Sequence, residues 1–436
     1  MNKKAVQWLY QELPDLVSKG VLPQEAADKL RGHYGEIKNA NKKWFFIVLF
    51  GVLGALLIGL GIISLFAHNW EELSRPVRAV LSLLPLMLGQ ALALWVLVKR
   101  PASAAFKEGS ATFLSLMVGA SIALISQTYN VPGDTAEFIL TWMLLIVPLV
   151  YLMEATISAA IYVAGITAWG AHFWASPLQA VLFWPLLAVV IPHFIWALRR
   201  ESYAIRGAIL ALVMAVSVCI AAGFSLGKTW DGSWIVIYSS IIALFYLLGS
   251  WDFSRVSTNW QRPFRILGGL GVFVMMFLLT FRLPWQSFTG RYSYTKIEAF
   301  SWSAVPDYVL TLFLVGTAIV MFFKYLKRAD LRRALFGALP LVALAGYVFG
   351  GISVFFSVIL FNIYLFIASL IWLKSGIQAK SLGIINAGMF MLSALIIARF
   401  FDSEINFIVK GLVFISIGIG FLVTNVVILR GKGGEA

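Results

Sequence analysis

The sequence predicts an all-α, polytopic transmembrane helical bundle of about fourteen spans, with a short N-terminal cytoplasmic helical hairpin. Three observations lead there. Of 436 residues, 60% are hydrophobic and only 12% are charged, too few charges to cover a water-soluble surface. Apolar runs of roughly 20 residues, enough to cross ~30 Å of hydrocarbon, recur along most of the chain. Lysines and arginines gather in alternate connections between those runs. Where no water can satisfy the backbone, such runs fold as helices.

Residues 1–43 are polar and form the predicted hairpin. Val6, Leu9, Tyr10 and Leu13 recur at helical spacing, and Pro14 is expected to end that helix. Gly20 and Pro23 mark a turn, after which residues 23–34 read as a second helix with Ala26, Ala27 and Leu30 on one side. Two short helices bury too little surface to stand alone, so the hairpin is expected to rest on the membrane domain or on a protein partner.

Residues 44–436 form the predicted membrane domain. The runs fall at 44–67, 77–98, 110–128, 138–153, 155–174, 178–198, 204–226, 234–250, 264–281, 308–325, 334–350, 353–373, 382–399 and 408–429. A break at Gly350-Gly351 separates two of them with almost no loop. With the N-terminus inside, the inner connections hold 21 Lys and Arg and the outer ones eight, which places both termini in the cytoplasm. The net charge of +14 then reflects anionic headgroups rather than nucleic acid. Small residues at close-packing spacings, Gly51-x-x-Gly54, Gly268-Gly269-x-Gly271 and Gly346-x-x-x-Gly350, predict tight helix crossings. The outer connection at 282–306 is aromatic and basic, and Trp285, Phe288, Tyr292 and Trp302 read there as an interfacial belt.

Several chemistries are excluded. Cys219 is the single cysteine, which leaves no disulfide and no thiolate metal site. Phosphate-binding, zinc-protease and serine-elbow motifs are absent, and no cofactor, metal ligand set or catalytic residue is assigned. The polar first residues lead to no cleavable signal.

Three polar groups fall on the predicted outer face: His68, Asn69 and Glu71; Gln127, Tyr129, Asn130 and Asp134; and Arg399 with Asp402. An imidazole, amides, carboxylates and an arginine could together hold a polar headgroup, a sugar or a cation, if they meet in space. Polar loops at a membrane surface are also expected without any ligand. Midplane ionisable groups are scarce: Glu154 lies at a turn, His172 and His193 near span ends, and Asn362, Asn386 and Asn425 inside the last spans. Asn386 has the best expected case for an interhelical hydrogen bond. This scarcity disfavours an ion-coupled pump, which needs relays of such groups.

Gly20-Val-Leu-Pro-x-x-Ala-Ala, Ala67-His-Asn-Trp70, Gln127-Thr-Tyr-Asn130, Gly133-Asp134 and Trp142 resemble the bacterial predicted membrane protein family called domain of unknown function 2157. The resemblance covers roughly the first 150 residues; the tail from Ile385 to Asp402 is similar to related predicted membrane proteins. It implies a fold and a location in the bacterial inner membrane and carries no activity with it. The expected function is a transporter or flippase-like protein for an amphipathic or envelope-related molecule, with membrane lipids around it. The alternatives are a membrane-embedded transferase or ligase using a lipid-linked donor, and a non-catalytic assembly or sensing subunit.

Overall fold

The computed structural model describes residues 3–34, 73–199, 204–226, 232–250, 263–285, 305–327 and 331–402, with isolated positions between 50 and 61 and between 408 and 419. Among the described residues the regular structure is helical, with no strand. Among the described residues seven helices are long and apolar enough to cross a membrane, or eight if a bent pair counts as one span. This is a multi-pass membrane protein.

The chain divides into two compact units, residues 1–128 and 129–436. In the first, α1 (Lys3–Ser18) continues through Pro14 rather than stopping there. A proline in mid-helix removes one backbone hydrogen bond but need not end the helix when side chains hold both flanks. Leu13 and Ala27 are buried, and the Tyr10 phenol donates to Arg31 O of α2 (Gln24–Tyr34) at 3.3 Å. Helix α3 (Arg75–Lys99) meets α4 (Ala104–Tyr129) where Ser121 Oγ donates to Ser82 O at 2.7 Å. Gly89 lies against Leu114 at the same contact.

The second unit begins with α5 (Thr135–Leu152) and α6 (Thr156–His172), which pack on each other. Three short helices follow, α7 (Pro177–Ala180), α8 (Phe183–Ala188) and α9 (Ile191–Arg199), where the sequence predicts one run over 178–198. Then come α10 (Ala204–Ser225), α11 (Ser233–Gly249), α12 (Pro263–Leu278) and α13 (Val305–Leu326). Helices α14 (Leu331–Gly337) and α15 (Leu339–Ile352) are bent 40° against each other where a single run is predicted. The described chain closes with α16 (Val354–Gln378) and α17 (Leu382–Asp402). The break between α15 and α16 falls at Ser353, whose hydroxyl caps Phe355 N, and not at Gly350-Gly351.

Two of the three glycine motifs are tight crossings. A Cβ at Gly268 would lie 2.2 Å from Tyr246 N, and one at Gly346 would lie 2.8 Å from Phe361 and 2.9 Å from Trp285. Gly51 and Gly54 have no described atom within 4 Å. Trp285 is fully buried in the core with Phe361, Leu365 and Tyr246, which corrects its reading as a belt residue. Its indole donates to Leu279 O at 2.9 Å, satisfying a carbonyl just beyond α12. The rest of the predicted belt lies outside the described residues.

Candidate functional site

Two polar places emerge in the second unit. The first is the turn at 130–134. Asn130 takes the left-handed conformation (φ 49°) just after α4, a backbone shape that asparagine tolerates better than most residues. Asp134 is extended and accepts a hydrogen bond from Glu137 N at 2.7 Å, which makes it the N-cap of α5. Their side chains and that of Tyr129 are exposed, as is that of Gln127 at the end of the first unit.

The second place gathers at the C-terminal end of α12. Thr280 is fully buried. Its carbonyl accepts from Asn362 Nδ2 at 3.3 Å, and its hydroxyl accepts from Arg399 Nη2 at 3.5 Å. The Arg399 guanidinium lies 5.0 Å over the Phe281 ring, a cation–π contact. Helix-end carbonyls lack intrahelical partners, and in a membrane only side chains can supply them. The interhelical amide bond thus falls on Asn362; Asn386 is exposed. Beside this node α12 and α17 frame an open groove of about 570 Å³, lined by Phe277, Phe281, Phe390, Ser393 and Ile397.

Of the expected outer residues, Asn130 and Asp134 share one turn, whereas Arg399 contacts Thr280 and Phe281 on a different pair of helices. Asp402 ends α17, and its side chain lies outside the described residues, as do His68, Asn69 and Glu71. His172 is exposed.

The broken segments hold polar groups that run-length reasoning passes over. Pro192 at the α8–α9 break has no N–H; Tyr151 donates to Val189 O, and Tyr162 donates at 2.9 Å to Leu186 O, which Val189 N also reaches at 3.3 Å. At the α14–α15 bend the Tyr364 phenol donates to Leu335 O. His193 is buried on the α8–α9 segment, its ring against Tyr151 and Trp196. Glu154 adopts φ 53° at the α5–α6 turn. Glu108, Arg206 and Asp307 are buried near helix ends. The signals that could have found the breaks were Pro192 and Pro340. Among the described residues no group of His, Cys, Asp and Glu could hold a metal ion.

With this geometry in place, the comparisons bear on the first third of the chain. Residues 14–159 match the family model of a predicted membrane protein, DUF2157. The match includes the 130–134 turn and Glu154 and stops before both broken segments. No curated protein and no solved structure matches the chain.

Proposed function

We propose that this protein is a transporter or flippase-like protein of the bacterial inner membrane that moves an amphipathic, envelope-related molecule. The observation that carries the reading is the α14–α15 pair, bent by 40°, with the two-residue interruption at 189–190 between α8 and α9 in the same unit. Interrupted backbone at membrane depth is stable only when buried in protein or lining a cavity, and transporters build their sites from such helices. Tyrosine donors reach carbonyls at both breaks, Leu186 O and Leu335 O, beside the backbone bonds those carbonyls accept, which supports the reading.

In this reading about fourteen spans cross the membrane, with both termini and the 1–43 hairpin in the cytoplasm, where the hairpin engages a protein partner. Gln127, Tyr129, Asn130, Asp134 and Arg399 face outside, with His68, Asn69, Glu71 and Asp402, and contact the polar end of the substrate.

The test is flux in reconstituted vesicles with a fluorescent amphiphile. Asp134→Asn keeps an N-cap oxygen while removing charge, and Gln127→Ala leaves the cap untouched. Flux is expected to fall about tenfold in each, the loss of one charge-assisted or polar substrate contact. Flux unchanged in both variants would remove these residues from the site, and absence of flux in the parent protein would end the transport reading.

A further inference from the structure

We infer that the groove between α12 and α17 is a binding site for an anionic phospholipid, with an acyl chain along the groove and the headgroup phosphate at Arg399. The lining on α17 runs from Phe390 to Ala398, eight residue steps, which at 1.5 Å per step span about 12 Å. Phe277 and Phe281 form the opposite wall. This lining is almost wholly apolar, and Phe390 is 62% exposed, so the groove opens sideways at the height of a membrane span. A wall of that kind suits a hydrocarbon chain and offers a sugar or a peptide almost nothing to bond.

Charge then selects the lipid. Arg399 directly follows Ala398, at the C-terminal end of the groove, and stands over Phe281, which is itself a wall residue. That end is also the end of the span Leu382–Phe400, so the guanidinium lies at headgroup level. A planar guanidinium matches two phosphate oxygens at once and is held in aim by the Phe281 ring and Thr280 Oγ1. Ser393 lines the groove wall, and its Oγ is buried with no hydrogen-bond partner among the described residues.

The inference rests on the amphipathic-substrate reading only in sharing Arg399, and binding is read here without flux. The experiment is native mass spectrometry of the full-length protein with phosphatidylglycerol or phosphatidylcholine added at matched concentrations. The parent protein is expected to bind phosphatidylglycerol about tenfold more tightly, because the choline cation of phosphatidylcholine offsets its phosphate charge, and Arg399→Gln to weaken phosphatidylglycerol more than phosphatidylcholine, bringing the ratio towards one. Ala394→Phe, which fills the groove, is expected to weaken both lipids by a similar factor. Equal binding of the two lipids by the parent protein would overturn the site. So would an undiminished preference in Arg399→Gln or, should that variant not fold, undiminished binding in Ala394→Phe. A protein that binds the anionic lipid without moving it keeps this site and loses the transport reading; flux without lipid preference does the reverse.

Discussion

Glu154 is the residue whose conformation argues against its type. It occupies the left-handed position after α5, and the turn closes with Ala155 N on Val150 O at 3.1 Å and Glu154 N on Tyr151 O at 3.4 Å. That is the Schellman arrangement, in which glycine is the favoured residue, as Gly20 shows after α1. A side chain there costs on the order of 1 kcal/mol. Glu154→Gly is therefore expected to raise the thermal midpoint in detergent, by the equivalent of about 1 kcal/mol; a lower midpoint would mean that the carboxylate holds the turn. Asp134 is the opposite case, since its type and its place agree. Asp134→Ala should cost about 1 kcal/mol through the lost cap and Asp134→Asn much less, read by the same unfolding scan.

At the scale of elements, the helices hold together by two devices that differ in how far the sequence discloses them. Close approach at Gly268 and Gly346 is written in local spacing, because a small-residue ridge needs no knowledge of its partner. Gly268→Ala puts a methyl group 2.2 Å from Tyr246 N, which is backbone and cannot swing aside. It is expected to destabilise by about 1–3 kcal/mol, whereas Gly316→Ala, with open space around it, should be neutral or mildly stabilising. The second device, phenols on carbonyls at the helix breaks, is illegible in sequence: nothing near Tyr162 or Tyr364 names Leu186 or Leu335. For the same reason Asn362 and Asn386 look alike as mid-span amides, and only the arrival of α12 beside α16 selects Asn362. Trp285 was misread because an aromatic outside a run looks like a belt until its indole finds a helix end. Tyr162→Phe and Tyr364→Phe should each cost about 1–2 kcal/mol, measured by unfolding of the purified protein.

For the whole molecule, what remains to be tested is how many times the chain crosses the membrane, and the parity of those crossings gives the test. Helix α4 has 26 residues, about 39 Å at 1.5 Å per residue, so Arg100 before it and Val131 after it lie on opposite membrane faces. Charge bias puts Arg100 inside and Val131 outside. Among the described residues, α5, α6, the α8–α9 segment, α10, α11, α12, α13, the α14–α15 pair and α16 lie between Val131 and Lys380. If every one crosses, the count is nine and Lys380 is inside; if one broken segment enters and leaves by the same face, the count is eight and Lys380 is outside. Cys219 is the single native cysteine, so a Cys219→Ser background gives a clean reporter. In intact cells an impermeant maleimide is expected to label Val131→Cys and to reach His33→Cys, Arg100→Cys and Lys380→Cys only after permeabilisation. Labelling of Lys380→Cys from outside would make one broken segment re-entrant, and labelling of Arg100→Cys from outside would invert the charge-based orientation itself.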